Sequence, residues 1–253
     1  MDISPKSNQN GTKFRVHRLL ILIFSLLLYT MVFFHRNCPL SMTNDLIDYF
    51  KVSKSDLSLI SSMFMWSSAA AQFLVAPFTD VYEPFSALVI FNAISILGCL
   101  LCGFSTKFIV FVIGRFLTGV GIGPTFLAIS KFALGWYNGF KYLPIITGIS
   151  LGFGGLGTFL SSVPLVKLEK AIGWRWVFFT VGIFSAVMTI ILGFIGRADP
   201  ELFGYDEVEG SKISKPYKAH MKRKLKSKLK KKLKNDDLNS QQLNEKLNQD
   251  SHH

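Results

Sequence analysis

The sequence predicts an all-α protein that crosses a membrane six times. Three observations lead there. Only 17% of the 253 residues are charged, against 49% hydrophobic, where a soluble domain carries about a quarter charged residues. The missing charge coincides with six apolar stretches of about 16 to 25 residues, each long enough for a hydrocarbon core ~30 Å thick. Short segments with charge, proline or glycine punctuate them.

The net charge of +12 does not indicate nucleic acid, because half of the basic residues lie in a tail directly after the last apolar span. Ten Lys and Arg fall within residues 218–234, with Met221, Leu225, Leu229 and Leu233 at four-residue spacing. Such a stripe predicts a narrow amphipathic helix on anionic lipid headgroups, or a solvated Lys-rich run; residues 235–253 read as disordered. Of the three cysteines, Cys38 ends the first span, while Cys99 and Cys102 form a C-x-x-C inside the third. Thiols in an apolar helix are inert, so no disulfide, metal or redox role is expected.

Residues 1–17 form a polar N-terminal segment with Lys13, Arg15 and His17 at the membrane edge; the sequon at Asn10 is placed on the cytoplasmic side. The first apolar run, 19–34, spans only about 24 Å as a helix. The helix is therefore expected to continue through His35 and Arg36, past Pro39 towards Ile47. That places Arg36 within the membrane, unless it snorkels outward. A short loop at 48–56 precedes a second span, 57–77, rich in serine and alanine that suit close packing.

The third span covers 85–104 and the fourth 108–130. The fourth carries Arg115 and then Gly119, Gly121 and Gly123. A guanidinium at membrane depth costs several kcal/mol unless it faces a cavity or partner, so it marks a pathway by default. A snorkelling arginine beside a packing seam is the plain alternative. The fifth span, 142–166, holds Gly148 and Gly152 as a G-x-x-x-G seam. Gly152, Gly154 and Gly157 also spell G-x-G-x-x-G, but without the strand that a dinucleotide site requires, so no cofactor is implied. The sixth span opens on Gly173-Trp174-Arg175-Trp176, read as interfacial anchors, and ends near 197. The expected organisation is a segment 1–17, a six-helix domain 18–197 and a tail 198–253. Two basic termini on one side of an even number of spans predict that both are cytoplasmic.

The pattern Arg115-x-x-x-Gly119-x-Gly121-x-Gly123 resembles the fourth-helix motif of the major facilitator superfamily of transporters. Phe34-His35-Arg36 resembles the first-helix signature of a bacterial-type branch. The stretch from Gln72 to Pro84 resembles the family's loop between helices two and three. There Asp80 and Pro84 match, whereas Val81, Glu83, Phe85 and Ser86 replace basic residues and a glycine. The glycine-rich fifth helix and the Gly-Trp-Arg-Trp entry are also similar, so the resemblance covers residues 25–197.

It implies two inverted three-helix repeats, half of a major facilitator fold, with a small solute bound near the midplane and moved by alternating access. Arg36 and Arg115 are expected at matched depth, about 13 Å from the outer end, and would favour an organic anion such as a carboxylate or phosphate. Arg36, His35 and Arg115 are the expected binding residues. Asp80, Gly119, Gly121, Gly123, Gly148, Gly152 and Arg175 are expected to gate or pack. The spans offer no mid-depth carboxylate and no nucleophile–base or metal constellation, so an enzyme is not expected. Since the family has twelve spans, three readings stay open: a truncated product, a half that dimerises or joins a missing second half, and a non-transporting interaction module. The expected setting is a plasma or inner membrane.

Overall fold

The computed structural model describes residues 11–137, 139–205, 208, 211, 218–220, 223 and 227. Asn10 and most of residues 218–234, where a lipid-facing helix is expected, lie outside them. Met1–Ile213 and Ser214–His253 are separate compact units.

Helices α1 (Thr12–Ser41), α3 (Lys54–Thr79), α4 (Pro84–Phe104), α5 (Phe108–Ile122) continued by α6 (Thr125–Trp136), α7 (Gly139–Leu160) and α9 (Trp174–Ile195) make six spans. Two short helices, α2 (Thr43–Phe50) and α8 (Val163–Ile172), follow the first and fifth. The chain is thus an all-α, multi-pass membrane protein. Several boundaries differ from the expectation. The first helix does not run on towards Ile47 but stops at Ser41, two residues after Pro39, and restarts as α2. Pro39 cannot donate to the carbonyl four residues back and crowds it, which weakens the helix there. The fourth span is interrupted at Gly123–Pro124, where Pro124 likewise lacks the N–H that would continue the helix. The fifth breaks at Ser161–Ser162, so the apolar residues up to 166 belong to α8 instead.

Span one packs against spans five and six, and span four against spans two and three, while spans three and six pack on each other. Exchanging the first three spans with the last three maps this pattern onto itself, as two like-built three-helix units require. Polar anchors at the helix starts are local: Ser53 and Asp56 form a reciprocal capping box at the start of α3, which satisfies two otherwise unpaired N–H groups.

The paired indoles separate. Trp176 is exposed, but Trp174 is buried in a cluster with Tyr49, Phe50, Phe111 and Phe178. Two residues apart on a helix means about 200° of rotation, so one faces out and the other in. Only Trp176 has the exposure of an interfacial anchor.

Candidate functional site: a cationic cavity beside a buried arginine

A cavity of about 350 Å³ lies between α1, α3 and the α5–α6 junction. Tyr29, Phe33 and Arg36 line it from α1, Phe64, Ser68 and Gln72 from α3. Among the described residues that line it there is no Asp or Glu. Arg36 is exposed there, while its neighbour His35 is only 1% exposed. Adjacent residues on a helix point about 100° apart, so α1 sends one to the cavity and the other into the bundle. His35 Nδ1 lies 4.0 Å from Cys99 Sγ on α4. Because α1 ends at Ser41, Arg36 sits five residues, about 8 Å of rise, from the helix end, nearer than the expected 13 Å.

Arg115 is fully buried. Its Nη2 donates to the His35 carbonyl at 2.7 Å, and its guanidinium stacks 4.4 Å from the centroid of Phe64. The hydrogen bond follows from the sequence of α1. His35 is four residues before Pro39, which has no N–H, so this carbonyl lacks its helical donor. An arginine from α5 supplies one. The same bond sets the Arg115 guanidinium against the backbone of the residue next to Arg36. Its Nε and Nη1 have no partner among the described residues.

The glycines around Arg115 permit this depth of contact. A Cβ at Gly119 would lie 2.5 Å from the Phe64 carbonyl oxygen, one at Gly123 2.8 Å from that of Ser68, and one at Gly121 2.6 Å from that of Phe91. Gly119 and Gly123 therefore face α3, and Gly121 faces α4; hydrogen alone fits at each. On α7 the register differs. Gly154 and Gly157 abut Phe33 and Thr30 of α1, whereas Gly148 and Gly152 meet nothing within 4 Å. Asn37 donates to Thr158 at 3.2 Å, and Ser41 donates to the Ser161 carbonyl, both across the α1–α7 seam.

The remaining candidates lie at the two ends of the bundle. Asp80, at the end of α3, pairs with Lys131 of α6. The missing basic residues of its own loop are thereby replaced by a lysine 51 positions on. Arg175 donates to Tyr49 Oη at 2.5 Å and to the Ser105 carbonyl at 3.0 Å, and stacks over Tyr49 and Trp174. It ties together α2, the end of α4 and the start of α9, away from the cavity. Phe64, Ser68 and Gln72 were not singled out by the sequence. Their signal was a four-residue spacing on the small-residue face of span two, which puts them on one side of a helix.

The family model described as Major Facilitator Superfamily matches residues 21–236. Among curated proteins, a probable sulfoacetate transporter SauU of Cupriavidus necator is 27% identical over 154 residues, covering 59% of this chain and 35% of that protein. A probable sphingolipid transporter, spinster homolog 1 of Arabidopsis thaliana, is 25% identical over 176 residues, covering 65% of this chain and 33% of that one. Among solved structures, a bacterial homolog to the human lysosomal transporter Spinster, in an inward-facing and unoccupied conformation, superposes with a TM-score of 0.63 at 22% identity. It covers 75% of this chain and 45% of that one, a likeness of fold. The chain spans about a third of the length of these two curated relatives. With the matched profile covering most of its residues, and six spans arranged as two like-built units, the chain belongs to the Major Facilitator Superfamily.

Proposed function

We propose that this chain forms one half of a transporter for a small organic anion, with Arg36 as its principal binding group. The observation that carries the reading is the exposed Arg36 in a cavity between α1, α3 and the α5–α6 junction whose described lining residues include no carboxylate. A cation in that setting is stabilised by an anion or by water, and a planar guanidinium favours carboxylate, sulfonate or phosphate oxygens through paired hydrogen bonds. Ser68 and Gln72 across the cavity add neutral hydrogen-bonding groups. The relative named for sulfoacetate supports the same substrate class, since sulfoacetate carries a sulfonate and a carboxylate. Alternating access needs a second body against the cavity, supplied by further chain or by a second copy. The exposed faces of α3 and α7, with Phe73, Leu74, Ile145 and Leu151, are the surfaces it would cover.

The test is sulfoacetate and acetate binding to the chain in lipid nanodiscs, and exchange in proteoliposomes once a second half is supplied. Arg36→Gln is expected to abolish binding while insertion and melting are retained. Arg36→Lys keeps the charge but loses the planar fork, so affinity should fall about tenfold. Normal binding by Arg36→Gln, with only lowered stability, would make Arg36 a structural residue and end this assignment.

The orientation we propose has both termini in the cytoplasm, so that the Lys-rich tail meets anionic lipid. Cysteines introduced at Gly11 and Ser240 should then resist an impermeant maleimide added outside intact cells. Labelling of either site from outside reverses the topology.

A further inference from the structure

We infer that Phe64 is a shutter between two cationic subsites, and that its side-chain position sets whether the cavity presents one guanidinium or two. The ligand part rests on the anion-binding reading above; the shutter itself does not. Phe64 belongs to two surroundings at once. It is one of the residues that line the cavity with Arg36, and its nearly covered ring carries the guanidinium of Arg115 at 4.4 Å. That guanidinium is fully buried, has two nitrogens without hydrogen-bond partners among the described residues, and is held from α1 by the His35 carbonyl. The ring offers one weak contact where an anion's oxygens would offer charge-assisted hydrogen bonds.

Motion at this position is confined to the side chain. The Phe64 carbonyl oxygen accepts from Ser67 Oγ at 3.0 Å, and Gly119 brings the α5 backbone against that same carbonyl. The backbone is clamped from both sides, whereas the side chain, only 2% exposed, belongs to a residue that lines the cavity. Rotation of the ring towards the cavity floor uncovers Arg115 without moving either helix. With the ring in place, the cavity suits a monoanion at Arg36. With it turned aside, Arg36 and the Arg115 guanidinium, which is held at the carbonyl of the adjacent residue His35, suit a compact dianion bearing two acidic groups.

Two measurements separate the shutter from the ligand assignment. The first uses phenylglyoxal, an arginine-selective dicarbonyl, on the chain in nanodiscs, with modification at Arg115 and Arg36 read by peptide mass spectrometry. Arg36 should react readily in every variant and serves as the internal standard. Arg115 should react slowly in the parent and in Phe64→Tyr, and at least tenfold faster in Phe64→Leu and Phe64→Met, each judged only if its melting transition is retained. Equal Arg115 reactivity in the parent and in both ring-less variants overturns the shutter, whatever the cavity binds.

The second compares sulfoacetate with acetate. Phe64→Leu should raise sulfoacetate affinity about tenfold and acetate affinity less than twofold, and adding Arg115→Lys should remove the gain. Equal gains for both anions would overturn the two-subsite claim. If no variant binds either anion while Arg115 reactivity still depends on the ring, the anion reading fails and the shutter stands.

Discussion

Gly119→Leu is expected to leave almost no monodisperse protein after detergent extraction. The position has no room on the α3 side, where a Cβ would sit 2.5 Å from the Phe64 carbonyl oxygen and closer still to Ser67 Oγ. The obstructing atoms are largely backbone, which cannot rotate aside, so the two helices would have to separate. Overpacking a tight core costs about 1–3 kcal/mol and more where backbone must move, and here the displaced contact also holds Phe64 under Arg115. Gly148→Leu is the matched control, because nothing lies within 4 Å of a Cβ there. Size-exclusion profiles and melting curves of the pair decide the matter. Similar behaviour of the two variants would mean that α3 and α5 are not in backbone contact.

Arg115→Lys should lower the melting temperature markedly, and Arg115→Met should do so in a way that Pro39→Ala partly repairs. A lysine ammonium is a point charge without the planar surface that stacks on Phe64. It cannot keep that stacking and the hydrogen bond to His35 in their present geometry. The loss combines a cation–π contact of about 0.5–2 kcal/mol with a buried carbonyl left unpaired, about 1–3 kcal/mol. Alanine at 39 restores an N–H one helical turn from that carbonyl, so the backbone can satisfy it without the arginine. A double-mutant cycle in nanodiscs measures the coupling. Strictly additive effects of the Arg115 and Pro39 substitutions would show that the His35 carbonyl does not link them.

Span number and fold class were legible because they depend on run length and hydropathy, which are local. Where the spans break was less so. The length argument carried the first helix past Pro39 towards Ile47, whereas α1 stops at Ser41 and the chain restarts as α2 at Thr43. The spacing of Gly119, Gly121 and Gly123 announced close helix approach, yet it could not say that Gly121 faces a different helix from the other two. Residues two apart point to different sides, and the identity of each neighbour is a tertiary fact. The pairing of Asp80 with Lys131 joins residues far apart in sequence, and no periodicity reports it. Phe64 was hidden most completely, since a phenylalanine in an apolar span is indistinguishable from lipid-facing or core filling until its neighbours are known. The Arg115–His35 contact has a sequence rationale only in hindsight: a proline four positions on leaves a carbonyl in want of a donor.

The contacts of Arg115 also bear on how the protein is made. Inserting an arginine at the centre of an isolated helix costs roughly 2.5–3.5 kcal/mol on translocon scales. Its hydrogen-bond acceptor lies on α1 and its aromatic partner on α3, both synthesised before α5. Chains emerge and assemble from the N-terminus onward, so the guanidinium enters a bilayer that already holds its acceptor and its ring. The order α1, α3, α5 is therefore an order of biosynthesis in which the charge has a waiting place. A permuted chain beginning at α5 would expose that arginine to lipid until the later helices arrived.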